Sequence, residues 1–406
     1  MPDSLSESVA RVPRGSELAE VLGASLRLGL TSFGGPIAHI GYFRREYVER
    51  RHWLDDHRFA DLLALCQALP GPASSQLGIA IGTLRAGRVG GFVSWLGFTL
   101  PSAVALVAFA LLTSTADLAD AGWVRGLKLA AVAVVAHAVL SMWRSLARGA
   151  PRSVVALVAA GAALAWPSPV TQVVIIAAGA AAGRFVLDAP ADAPGAPTEV
   201  RGRRVAIACL IVFGLLLAGL PILREAVSAQ ALALAETFYR AGSLVFGGGH
   251  VVLPLLHESV VPPGWIGDDR FLAGYGAAQA VPGPLFTFSA FLGASMATAP
   301  TGIAGAVIAL VAIFLPSFLL VWGVLPFWDG IRSRGGVRRT LIGINAAVVG
   351  LLLAALIDPV WTGAVDRPLD ALIAAGAAVL LIALRAPPIA VVAVTAIATE
   401  VAVRVG

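Results

Sequence analysis

Two short runs constrain this chain more than anything else in it: Gln67-Ala68-Leu69-Pro70-Gly71-Pro72 and Gln279-Ala280-Val281-Pro282-Gly283-Pro284. Each interrupts an apolar stretch that would otherwise read as a membrane helix. Proline removes a backbone donor and clashes with the preceding turn, so neither stretch can stay one continuous helix. Hydrocarbon tolerates the freed backbone groups only where protein or a water-filled cavity satisfies them. One such break in each half of the chain points to a binding site at mid-membrane depth.

Composition supports the membrane setting. The 406 residues are 58% hydrophobic and 13% charged, against roughly half and a quarter in soluble domains. Long apolar runs recur to the last residues, so the chain reads as an all-α polytopic membrane protein. Lys128 is the single lysine among 29 basic residues. The arginines sit in short loops between apolar runs, which fits orientation in a bilayer and not nucleic-acid binding. Cys66 and Cys209 lie in apolar runs without CxxC spacing and read as packing residues. The six histidines show no metal spacing, so neither a metal nor a cofactor is expected.

The chain is a duplication. Phe33-Gly34-Gly35-Pro36 matches Phe246-Gly247-Gly248-Gly249 at an interval of 213. Trp53 matches Trp265, Arg58-Phe59 matches Arg270-Phe271, and the two Pro-Gly-Pro runs match, all at 212. Leu100-Pro101-Ser102 matches Leu315-Pro316-Ser317 at 215. Such ordered self-similarity marks a repeat architecture. Residues 1–187 are expected to form a first repeat, 188–228 a linker plus one unmatched span, and 229–406 a second repeat.

Arginine placement gives the topology. If each Gly-Gly and Pro-Gly-Pro break makes a re-entrant hairpin, twenty-one arginines fall on one face and five on the other. The rich face is then cytoplasmic. The loops of Trp53 and Trp265 face opposite sides, so the repeats are inverted. The alternative, kinked full spans, sorts the arginines less cleanly. Four runs, at 151–166, 169–187, 369–384 and 387–404, are short for a core of about 30 Å.

The polar matches suggest the chemistry. A half-helix that starts after a break points free N–H groups and a positive partial charge at the cavity, a ready anion site. Gly34, Gly35, Gly71, Gly247, Gly248 and Gly283 allow close approach of backbone to a ligand. Gln67 and Gln279 before the breaks, and Ser74, Ser75, Gln76, Thr287 and Ser289 after them, add neutral donors, Ser75 and Thr287 being counterparts. Arg27 and its counterpart Arg240 each lie six residues before a Phe-Gly-Gly. Arginine forks suit tetrahedral oxyanions, so both are candidate substrate ligands. Their other reading is pairing with Glu20 and Glu236, or snorkelling. Glu46 and its counterpart Glu258 read either as gates or as solvated loop residues. His39 and His250 flank the breaks and are candidates for proton coupling.

Phe33-Gly34-Gly35-Pro36, Trp53-x-x-Asp56-x-Arg58-Phe59 and the first Pro-Gly-Pro run, repeated in the second half, resemble the chromate ion transporter family in its two-domain long form. The resemblance covers nearly the whole chain. It implies a prokaryotic inner-membrane protein that exports chromate and confers resistance, with sulfate as the isosteric competitor. Two departures, Gly249 opposite Pro36 and Ala273 opposite Asp61, make the half-sites non-equivalent.

A secondary transporter of small oxyanions is therefore expected, working by alternating access of inverted halves. An anion channel, or a transporter of sulfate or another oxyanion, is the competing reading. No GxxxxGK[ST] occurs, so this chain is not expected to hydrolyse ATP. Neither is it expected to be an enzyme: His257-Glu258 lacks the second histidine of HExxH, and Gly267-Asp268-Asp269 has no intramembrane aspartate partner. The expected partners are the oxyanion and the lipid bilayer, and no nucleic acid; a homodimer is left open.

Overall fold

The computed structural model describes residues 14–33, 35–114, 121–187, 202–246, 251–328 and 335–405, all helix, turn or irregular chain with no strand among them. The first copy runs through α1 (Arg14–Thr31) and α2 (Gly35–Arg44), which a wider π-turn extends over Arg45–Arg50. It continues through α3 (Asp56–Ala68) and α4 (Ala73–Leu112). Ala86 and Gly87 leave helical geometry, Gly87 with φ +71°, and divide α4 into arms 73–85 and 88–112. Then come α5 (Gly122–Leu146), α6 (Ala150–Ala165), α7 (Pro169–Phe185) and the unmatched α8 (Arg203–Ala226).

The second copy repeats the order. It comprises α9 (Gln230–Leu244), α10 (Val252–Val260), α11 (Asp268–Ala280), and a 3₁₀ turn at Leu285–Thr287 leading into α12 (Phe288–Ala294). Then follow α13 (Gly302–Val324), α14 (Gly335–Ala355), α15 (Pro368–Ile382) and α16 (Pro388–Val405). Ends are set by local chemistry. The Asp55 carboxylate caps α3 by accepting from the amide of Arg58 at 2.7 Å, and Ser168 caps α7 by accepting from that of Thr171 at 3.1 Å. Both are ordinary N-cap bonds that satisfy an orphan donor.

The breaks make hairpins. Arm 73–85 folds back on arm 88–112, and glycines let the backbones touch: a Cβ on Gly82 would lie 2.5 Å from the carbonyl oxygen of Gly90. Arg85, at the end of the return arm, sits over the ring of Trp53, just before α3 begins, at 5.3 Å. The segment from α3 through the first break thus enters and leaves at one face. The second copy does the same: the amide of Ala297, past the end of α12, donates to the carbonyl of Trp265 at 2.8 Å. Arms of about 20 Å, 13 residues at 1.5 Å each, reach the middle of a bilayer and no further.

Among the described residues, five helical runs are long and apolar enough to cross a membrane: Ala73–Leu112, which the kink divides, Gly122–Leu146, Arg203–Ala226, Gly302–Phe327 and Gly336–Trp361. The four short runs form α6 with α7 and α15 with α16, packed as two pairs. Each pair lies on the other half of the molecule: α6 and α7 on α14, α15 and α16 on α5. Small residues mark both seams. A Cβ on Gly343 would meet the Gly179 carbonyl oxygen at 2.0 Å, and one on Gly126 would meet Cα of Ala396 at 2.4 Å. Gly343 stands 217 positions after Gly126, and Ala396 217 after Gly179. The two seams are therefore one contact made twice, the signature of a two-fold relation between inverted copies. Close small-residue packing of this kind drives helix association in lipid.

Candidate functional site

The Pro-Gly-Pro breaks bond through their glycine amides to the other half of the chain. At Leu69 and Pro72 the backbone is extended, and Gly71 takes φ +118°, a left-handed value that favours glycine. Its amide donates to the carbonyl of Val245, just before the second glycine run, at 2.6 Å. In the second break Gly283 takes φ +109°. Its amide donates to the carbonyl of Ser32, just before the first glycine run, at 3.0 Å. Val245 is the repeat counterpart of Ser32 at 213, so the two bonds are equivalents. Each half's proline break is tied to the other half's glycine break.

Serines from the Leu-Pro-Ser runs complete the crossing. A Cβ on Gly71 would lie 2.9 Å from Oγ of Ser317, and one on Gly283 would lie 2.7 Å from Oγ of Ser102. Within the first half, His39 links the glycine break to the proline break. Its Nε2 lies 3.2 Å from the Ser32 carbonyl and its Nδ1 3.3 Å from Oγ of Ser74. A carbonyl only accepts, so Nε2 carries the proton there, and in the neutral ring Nδ1 accepts from Ser74.

The surroundings are rich in buried polar atoms without a partner. The hydroxyls of Ser32, Ser75, Thr99, Ser289 and Ser317, the Gln76 Oε1 and the Gln279 Nε2 all make no hydrogen bond. These five hydroxyl residues are each at most 1% exposed. Each such group carries a desolvation cost of about 1–3 kcal/mol unless water or a ligand meets it. A concentration of hydroxyls and helix starts here offers an oxyanion several neutral donors at once. Thr287 is spent on its own turn, donating to the Pro284 carbonyl at 2.7 Å. Likewise Gln76 Nε2 holds the Pro70 carbonyl at 2.6 Å.

Other sequence candidates fall elsewhere. Arg27 has a side chain 53% exposed and faces Glu46 at 3.7 Å. Glu46 is buried and also takes Arg51 at 2.7 Å and Arg50 at 3.2 Å. Arg240 binds Glu236 at 2.6 Å, and Arg224 of α8 binds the same carboxylate at 2.8 Å. Both arginines, candidate substrate ligands by sequence, pair with buried carboxylates, Arg240 with the Glu236 of its other reading. Glu20, the alternative partner for Arg27, pairs instead with Arg85 at 2.9 Å. Gln67 is exposed, and Glu258 lines a separate cavity with Gln172 and Asp358. Gly35 starts α2 with φ +76°. Gly34, Gly247, Gly248 and His250 lie outside the described residues.

Sequence reasoning passed over Ser102, Ser317, Ser32 and Thr99 as site residues, while Ser289 was among its expected donors. The matched Leu-Pro-Ser runs carried that signal for the first two.

Comparison with known proteins agrees with the repeat. A family model described as chromate transporter matches residues 19–184 and again 232–399. A chromate transport protein of Pseudomonas aeruginosa is 30% identical over 356 residues, covering 86% of this chain and 82% of the relative. One of Cupriavidus metallidurans is 27% identical over 405 residues, covering 94% and 92%. An uncharacterized transporter of Methanocaldococcus jannaschii is 24% identical over 343 residues, covering 82% of each. No solved structure matches the chain.

Proposed function

We propose, since the chain belongs to the chromate transporter family, that this multi-pass membrane protein moves chromate out of the cytoplasm as a secondary transporter and so confers chromate resistance. Its place is the inner (plasma) membrane. The substrate site is the crossing of the two breaks. The observation that carries this reading is the reciprocal pair of bonds, Gly71 to Val245 and Gly283 to Ser32, set among unpartnered buried hydroxyls. Hydroxyl and amide donors hold a tetrahedral dianion without a buried counter-charge, which favours release as well as capture. The inverted halves meet at this crossing, where rocking of one against the other would expose the site to either face in turn. Moving a dianion outward against a negative interior is favourable by about 4.6 kcal/mol at 100 mV, so the potential alone can drive export. Sulfate, of the same shape and charge, is the natural competitor.

The test is chromate flux in proteoliposomes with imposed potential and pH gradients. Saturable, potential-driven chromate movement that sulfate inhibits is the expected result. Chromate movement that never saturates would replace the carrier with a channel, and none at all would remove chromate as the substrate.

A further inference from the structure

A second polar site lies away from the crossed breaks, on the face opposite the arginine-rich loops. A cavity of about 30 Å³ opens between the α6–α7 turn, α10 and the end of α14. That is room for one small ion with a water or two, at about 10–15 Å³ for each water centre. Oxygen-bearing side chains line it, Gln172, Glu258, Asp358, Ser168 and Thr171, together with the exposed Trp166 indole.

Gln172 is the telling residue. It is 5% exposed. Its Nε2 donates to the Pro254 carbonyl at 3.2 Å, which fixes the amide orientation. Its Oε1 is then an acceptor with no donor. Glu258 needs a partner too. Its repeat counterpart Glu46 is held by three arginines. Glu258, with a side chain 19% exposed, has as its one cationic partner among the described residues Nδ1 of His257, at 3.8 Å. The Nε2 of that ring is taken by Asp268 at 2.7 Å. Asp358 stands exposed at the mouth of the cavity, where Thr362 donates to one of its oxygens at 2.8 Å.

We propose that this cavity binds a single sodium ion, held by the Glu258 carboxylate and the Gln172 Oε1 and completed by Asp358 and water. Carboxylate, amide and water oxygens suit a hard cation. One charge needs balancing inside, that of Glu258, because Asp358 stays solvated; a monovalent ion matches it. The ion plays in the second copy the part that arginines play in the first. An ion arriving from the extracytoplasmic side meets this cavity first.

The experiment uses the full chain in detergent without chromate, so its outcome is separate from the transport reading. Binding of ²²Na⁺ is measured at equilibrium, and the melting temperature is compared in sodium and choline chloride. Saturable binding of about one sodium per chain is expected, with a melting temperature higher in sodium. Glu258→Gln, isosteric and able to keep the fold, lowers sodium affinity at least tenfold; Gln172→Leu does the same and Asp358→Asn about threefold. Unaltered binding in Glu258→Gln, equal melting in the two salts, or displacement of sodium by micromolar calcium each overturns the proposal. A stabilisation by sodium that persists undiminished in Glu258→Gln also overturns it.

Discussion

The crossed breaks and the arginine clusters are both duplicated in sequence, yet only the breaks are duplicated in structure. At the breaks, Gly71 and Gly283 make the same bond to equivalent carbonyls, and equivalent serines lie against both. In the clusters, Arg27 and Arg240 choose different carboxylates, Glu46 in one half and Glu236 in the other. Glu236 has no acidic counterpart, since Gly23 stands 213 positions before it. The second cluster also recruits Arg224 from α8, a helix the first half lacks. Backbone geometry at a two-fold centre is shared by both copies and resists drift. Side-chain charge at the periphery answers to whatever surrounds it, and the inverted copies face different sides of the membrane.

The largest effect should come from the centre. Gly71→Leu and Gly283→Leu each place a side chain where φ is left-handed and a serine Oγ already lies within 3 Å of the Cβ position. Both should abolish chromate flux, at least a hundredfold in vesicles, with insertion retained by protease mapping. A large difference between the two would break the equivalence of the half-sites.

Next comes the charge of the clusters. Glu46→Gln and Glu236→Gln each leave arginines without their buried carboxylate. Because the arginines are partly exposed, the cost is on the order of 1–3 kcal/mol in stability, read as a lower melting temperature. Arg27→Gln should lower stability less and leave the chromate KM within about threefold. A KM rise beyond tenfold would return Arg27 to the substrate. A double-mutant cycle of Arg27 with Glu46 sharpens the point, since purely additive losses would mean the pair is not coupled.

The smallest effect concerns a latch at each face. Arg44 holds Asp56 at 2.7 Å, and His257 holds the counterpart Asp268 at 2.7 Å. Arginine keeps its charge at every accessible pH, whereas histidine titrates near neutrality. The His257 pair should contribute more at pH 5.5 than at pH 8, by about a degree or two in melting temperature. His257→Gln should flatten that difference, and an unchanged slope in the variant would assign it elsewhere.

Much of this architecture was legible in the chain. Ordered matches from Phe33 to Ser102 gave the duplication, proline chemistry gave the breaks, and arginine counting gave hairpins and inversion. The contact of Arg85 with Trp53 bears out the hairpin reading. What spacing could not show is which surfaces meet. Nothing in the sequence of Gly179 or Gly126 names its neighbour across the molecule, because helix rotation and crossing decide it. The same limit hid the partners of Arg27: Glu46 lies beyond a glycine break, and its approach depends on how α1 and α2 are set. Ser74, Ser75 and Ser289 were legible as donors, but Ser102 and Ser317 read only as repeat markers, since what their hydroxyls lie against is a property of three dimensions.

The exchange of helix pairs between halves has a consequence for biogenesis. When Gly183 leaves the ribosome, the surface that will receive it has not been made. At roughly 5–20 residues per second, α6 and α7 must wait about 10–30 seconds in the bilayer before Gly350 and its neighbours arrive. During that interval their seam of small residues faces lipid or a foreign helix. Assembly of the newborn chain therefore closes late and all at once, and whatever chaperones it must shield that seam until the last third has been inserted.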